Sequence, residues 1–118
     1  MGTWGPGNLE NDAALDVVGE VLDRATKEID AFRTSGLVTV EDIEQVMACV
    51  VVHLALHEHC AMVGPQRAHA QALRVKVLDI YDREIDGLDP DPEYKTERRT
   101  VLAGTLDRYV AAAQGDNG

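Results

Sequence analysis

Four side chains able to hold a soft metal or to move a proton, Cys49, His53, His57 and Cys60, follow one another at steps of four, four and three residues. On a helix turning 100° per residue they fall within an arc of about 80°, a single stripe. Imidazoles at i and i+4 can share one metal ion, which is why that spacing recurs in zinc sites on helices. His53 and His57 form such a pair and Cys60 lies one turn further on, so zinc or another divalent transition metal is the candidate ligand. A complete site needs donors from other helices, such as Asp16 or Glu20, His69, Asp79 or Asp82. The run His57-Glu58-His59 is not the metalloprotease pattern, which places two residues between Glu and the second His. There is also no Glu-x-x-His pair of the kind found in di-iron bundles. The plainer alternative needs no cofactor at all. In a chain with 21 Asp+Glu, helix histidines find carboxylate partners on a neighbouring helix and act as structural or pH-responsive groups.

A second stripe is acidic. Asp12, Asp16, Glu20, Asp23 and Asp30 share an arc of about 80°, opposite the apolar positions of the same segment. Against 21 Asp+Glu the chain has 11 Lys+Arg, a formal net charge of −10. The imbalance is local: residues 1–59 hold 3 basic and 11 acidic side chains, residues 60–118 hold 8 and 10. Nucleic acid and anionic membrane surfaces are therefore excluded as electrostatic partners, because both are bound mainly through neutralising cations. A basic protein partner remains, steered by complementary potential. The alternative is that the stripe is the solvated side of an amphipathic helix. No phosphate-binding loop, nucleophile elbow or Cys-x-x-Cys pair is present, and Ser35 is the only serine. With no nucleophile identified, the residues favour a non-enzymatic module that binds another protein, as an inhibitor or immunity-like partner. A metal-binding protein or metal-dependent enzyme built on the His/Cys stripe is the alternative.

The elements that position these residues follow from apolar periodicity. A length of 118 residues fits one domain, and 45% hydrophobic residues are enough for a core. Leu15, Val18, Val21, Leu22, Ala25, Ile29 and Phe32 repeat at helical spacing, which predicts a first helix over about Ala13 to Phe32, capped by Asn11 or Asp12. Thr39-Val40-Glu41-Asp42 resembles a capping box and opens a second helix with Ile43, Val46, Met47, Val50, Leu54 and Ala61 as its main stripe. Cys49, Val51, Val52, Ala55 and Leu56 make its middle apolar nearly all round, as expected of a central helix or of one covered by a second copy in a homodimer. Gly64-Pro65 breaks the chain before a third helix running to about Ile85 through Leu73, Val77, Leu78, Ile80 and Tyr81. Asp91-Pro92 then starts a fourth, through Tyr94, Val101, Leu102, Leu106, Tyr109 and Val110, before a frayed tail at 114–118. The expectation is an all-α, largely antiparallel bundle of about four helices in a single domain.

Residues 1–12 form a lead-in in which Trp4, the only tryptophan, sits among Gly2, Gly5, Pro6 and Gly7. It is expected to tuck Trp4 and Leu9 against the bundle, with a ligand loop at the helix start as the alternative. The run Gly2-x-Trp4-Gly5-x-Gly7-x-Leu9-Glu10-Asn11-Asp12-x-Ala14-x-Asp16 resembles the opening of a bacterial family, domain of unknown function 4259. The resemblance makes Trp4, Gly5, Gly7, Asn11 and Asp12 a structural motif and implies a bacterial origin, without implying an activity. Family members carry Phe in place of Leu9 and a glutamate near His53. Cys49 and Cys60, too far apart on one helix for a disulfide, are expected to be free thiols. Together with the lack of a signal peptide or membrane span, this points to the cytoplasm.

Overall fold

The first helix, α1, spans Asp12–Thr34, two residues longer at its end than its apolar repeat requires. In the computed structural model, residues 12–36, 39–60 and 64–113 are described, apart from the side chains at 59 and 60. The Trp4, Gly5, Gly7 and Asn11 motif therefore lies outside the described residues, as does the tail at 114–118. Helix α2 spans Val40–Cys60. Its start is fixed locally and reciprocally: the Thr39 N–H donates to Asp42 Oδ2 at 2.8 Å, and the Asp42 N–H donates to Thr39 Oγ1 at 3.3 Å. Helix α3 spans Arg67–Glu84 and runs on into a 3₁₀ turn over Ile85–Leu88. Asp89 follows in the left-handed region at φ 50°, ψ 54°, where Asp is better tolerated than most residues. Helix α4 spans Pro92–Ala111. Asp91 Oδ1 accepts the N–H groups of Glu93 and Tyr94 at 2.9 and 3.4 Å, and Pro92 takes the first helical position, where a missing N–H costs nothing.

All four helices contribute to one core, and the described residues contain no strand. Ile29 and Phe32 enter it from α1, Ile43, Val46, Val50 and Leu54 from α2, Leu73, Val77 and Tyr81 from α3, and Leu102, Leu106 and Tyr109 from α4. The closest pairings are α1 with α2 and α3 with α4, so the fold is two helical hairpins packed together. Tyr81 reaches across the second hairpin and donates from its hydroxyl to the Lys95 carbonyl at 2.8 Å. Arg74–Asp107 (2.7 Å), the two-pronged Arg99–Asp82 pair (2.7 and 2.9 Å) and Lys95–Asp86 (2.6 Å) fasten the same hairpin from outside.

Lys76 on α3 holds the two hairpins together. Its ammonium donates to the Phe32 carbonyl at 2.5 Å and the Ser35 carbonyl at 2.6 Å, with Arg33 O and Ser35 Oγ at 3.3 Å, and it lies 5.1 Å from the Phe32 ring centroid. These carbonyls lie at the C-terminal end of α1, where the helix dipole favours a cation, and Phe32 O also accepts from the Ser35 N–H at 3.3 Å and the Ser35 hydroxyl at 2.9 Å.

Two apolar expectations are corrected by this packing, on α4 and on α1. Within the single chain helix α2 is covered on one side: Ile43, Val46, Met47, Val50 and Leu54 face the core, while Val51 is 52% exposed and Val52 37%, with Ala48 and Ala55 exposed beside them. On α4, Tyr94 and Val101 face solvent, while Leu102, Leu106 and Tyr109 carry the buried arc that α2 and α3 pack against. On α1, Val21 lies on the margin of the buried arc and stays exposed. Among the described residues, no helix is long and apolar enough to cross a membrane.

Candidate functional site

His53 lies on the core-facing side of α2, between Val50 and Leu54, and is only 5% exposed. Its imidazole stands edge-on to the Tyr109 ring of α4, with centroids 5.4 Å apart and planes at 68°. Its Nδ1 is buried without a hydrogen-bond partner among the described residues. Leaving such an atom unsatisfied costs on the order of 1–3 kcal/mol, so the position is not one that stability alone selects. Burial, and secondarily the nearby His57, push the His53 imidazole below its ordinary value and hold it neutral. The Tyr109 phenol responds to the same surroundings: burial first, then the Asp30 carboxylate, push it up to about 12.

The two rings line a cleft of about 280 Å³ to which every helix contributes: Leu22, Thr26, Ile29 and Asp30 from α1, His53 from α2, His69 from α3 and Tyr109 from α4. Gly64, Pro65 and Gln66 close its side. Gly64 is required there, because a Cβ at this position would lie 1.8 Å from the Ala112 carbonyl oxygen. The cleft thus offers a neutral imidazole, a protonated phenol and the carboxylate of Asp30, itself 3.4 Å from Arg33. Such a lining suits a ligand that donates hydrogen bonds better than it suits an anion. No side chain in it is an activated nucleophile.

The proposed metal ligands are distributed differently from their order on the helical stripe. His57 is half-buried one turn beyond His53, and the backbone of Cys60 ends α2, its side chain lying outside the described residues. His69 joins the His53 cleft, whereas Asp79 and Asp82 are drawn away by Arg83 (3.1 Å) and Arg99. Asp16 and Glu20 stay on the exposed face of α1. Among the described residues, no three of His, Cys, Asp or Glu converge as a metal-holding group. Cys49 is a free, half-buried thiol pushed up by burial and by Glu28, the opposite of an activated nucleophile.

The acidic stripe is largely on the surface. Asp12, Asp16, Glu20 and Asp23 are exposed, and Asp23 is 3.5 Å from Lys27. Asp12, Asp16 and Glu20 have no ion pair among the described residues. Asp30, in contrast, turns in at the cleft and is half-buried. The cations of the second half are mostly taken up inside the fold: Arg74, Arg83, Lys95, Arg98 and Arg99 all pair with carboxylates of the chain. Part of the surplus negative charge therefore lies on α1, with Asp12, Asp16 and Glu20 exposed along it.

Sequence reasoning missed that Tyr109, Thr26 and the Gly64–Gln66 segment surround His53. Tyr109 was legible as an apolar position of α4 and Gly64-Pro65 as a break, but their meeting depends on how the two hairpins register. No curated protein and no solved structure matches the chain. The family described as a domain of unknown function (DUF4259) matches residues 2–114, a span that includes all four helices and their connections, and the chain belongs to that family.

Proposed function

We propose that the protein is a non-enzymatic binding module whose α1 face recognises a basic surface on another protein, in the manner of an inhibitor or immunity protein. The observation that carries this reading is the row Asp12, Asp16 and Glu20, exposed on successive turns and without an ion pair among the described residues. Exposed carboxylates in a row create a local negative field, which raises encounter rates with an oppositely charged partner. A reducing compartment such as the bacterial cytoplasm fits the free Cys49 thiol. The test is capture from native lysate on the immobilised chain, beside the triple change Asp12→Asn, Asp16→Asn, Glu20→Gln. A partner held at low salt by the unaltered chain and lost by the triple variant is the expected result. Equal retention by both chains removes the stripe as the recognition surface.

A second reading, a metal-binding protein or metal-dependent enzyme, is favoured by one observation. His53 has an unpartnered buried nitrogen, and His57 is close enough to lower its proton affinity. Zinc or a similar divalent ion would take Cys60 as a further donor. Native mass spectrometry of protein purified without chelator tests it. One metal-sized adduct per chain, lost in His53→Ala/His57→Ala with helicity intact, is required; a metal-free species ends this reading.

A further inference from the structure

The cleft beside His53 gathers polar groups that the fold itself does not use. Thr26 of α1, His53 of α2, His69 of α3 and Tyr109 of α4 line it, and none of these side chains makes a hydrogen bond among the described residues. Asp30 adds a carboxylate whose Oδ1 is 3.4 Å from Arg33 and whose Oδ2 has no partner among the described residues. Polar groups inside a fold are almost always paired. His53 departs furthest from that rule, being 5% exposed with its Nδ1 unpartnered. The cleft is also reachable, because Thr26 and Gln66 on its lining are exposed to solvent.

We infer that this cleft is a binding site for a small organic cation with planar N–H donors, an amidine or a guanidine. Its volume of about 280 Å³ lies just under the ~300 Å³ at which ligand pockets usually begin, so the occupant is small. Leu22 and Ile29 supply an apolar wall for the carbon skeleton of such a ligand, and the convergent polar groups fix its orientation.

The sign of the ligand's charge follows from the lining. Asp30 is a carboxylate, and no lysine or arginine stands among the lining residues. An anion would therefore meet a like charge with no cation to offset it. His53, held neutral by burial, contributes a nitrogen acceptor rather than a positive charge. An amidinium donates along both edges of its plane and pairs with carboxylates through charge-assisted hydrogen bonds. The Tyr109 ring adds a further attraction for a cation. Asp12, Asp16 and Glu20 do not line the cleft, so this site and the recognition surface on α1 stand or fall separately.

Benzamidine, benzamide and benzoate are alike in size and shape and differ in charge, which makes them the probes. A two-dimensional NMR titration of the full chain at neutral pH follows amides and imidazoles around the cleft, with chelator present so that no metal ion competes for His53. Benzamidine is expected to shift the resonances of His53, Gln66, His69 and Tyr109 saturably. Benzamide should bind about tenfold more weakly, the worth of a charge-assisted hydrogen bond, and benzoate should not bind. Asp30→Asn should weaken benzamidine about tenfold, as should His53→Phe, which keeps a ring against Tyr109 and deletes the acceptor. Glu97→Gln removes the same charge from an exposed position about 18 Å along α4 from Tyr109 and should leave the affinity unchanged. If a cleft variant fails to fold, the shift map of the unaltered chain decides. Shifts confined to the exposed carboxylates of α1, or equal weakening in Glu97→Gln, reduce the binding to attraction by an acidic surface and overturn the site. No saturable shift with millimolar benzamidine, or benzoate bound as tightly as benzamidine, overturns it equally.

Discussion

His53 of the first helical hairpin meets Tyr109 of the second in an edge-to-face pair, 5.4 Å between centroids. Each ring is polar at its tip and each is buried, so each has its ionisation displaced in the direction that keeps it neutral. The contact makes stability sensitive to pH at both ends of the scale.

On the acid side, the folded imidazole of His53 binds its proton less readily than the unfolded one, whose ordinary value is about 6.5. The unfolded state therefore takes up more protons as pH falls below that value. The stabilising contribution is complete above about 6.5 and is lost as pH falls through the lower folded value. Urea melts between neutral pH and the onset of carboxylate titration are expected to show this slope, and His53→Phe, which keeps an aromatic edge on Tyr109, is expected to flatten it. An unchanged slope would place the titration elsewhere.

On the alkaline side the sign is reversed. Tyr109 holds its proton up to about 12 when folded but loses it near the ordinary 10 when unfolded, so its contribution is present below 10 and declines as pH rises towards 12. Absorbance of tyrosinate near its usual ultraviolet band is expected to show a last step coinciding with unfolding. Tyr109→Phe removes that step, and its persistence in the variant counts against the assignment.

Lys76→Met keeps most of the aliphatic stem and deletes the donors to Phe32 O and Ser35 O. The expected loss is about 0.5–1.5 kcal/mol, the net worth of a hydrogen bond, because Phe32 O keeps the Ser35 N–H and hydroxyl as donors and Ser35 O is open to water. Lys76→Arg should recover part of it. Equilibrium urea denaturation at neutral pH measures both, and a loss below about 0.5 kcal/mol, the range of ordinary surface substitutions, rejects the capping role.

Gly64→Ala has a steric consequence. The new methyl would meet the Ala112 backbone rather than a flexible side chain, so the connection or the end of α4 must move. A penalty of about 1–3 kcal/mol is expected, as for overpacking in general. By comparison, Gly104→Ala, where nothing lies within 4 Å, should stabilise or be neutral. Thermal melts of the two variants distinguish a packing effect from a generic response to losing glycine.

Local signals carried most of the fold. Thr39 with Asp42, and Asp91 with Pro92, place helix starts through contacts only two or three residues long, which is why those boundaries were readable from the chain alone. Burial was less legible. Val51 and Val46 are chemically alike, and only the presence or absence of a neighbouring helix separates them. The candidate site was the least legible part. Histidines in so acidic a chain were expected to find carboxylates, yet His53 meets a phenol ring from more than fifty residues away. That encounter depends on the register between hairpins, which no spacing within α2 can encode. Asp12, Asp16, Glu20 and Asp23 are exposed, whereas the inward turn of Asp30 follows from where α1 passes the cleft.

The pairings of Arg74 with Asp107, Arg99 with Asp82 and Lys95 with Asp86 have a further consequence for how the molecule comes apart. The α3–α4 hairpin draws part of its cohesion from exposed or partly exposed ion pairs, which salt weakens. Between α1 and α2 the cohesion is apolar, through residues such as Ile29, Phe32, Val46 and Val50, and apolar burial is strengthened by excluded salts. The two hairpins are therefore expected to behave as separate foldons with opposite ionic responses. In native-state hydrogen exchange, sulfate should slow the amides of α1 and α2 more than those of α3 and α4. The order in which the halves open then becomes a property of the solvent as well as of the chain.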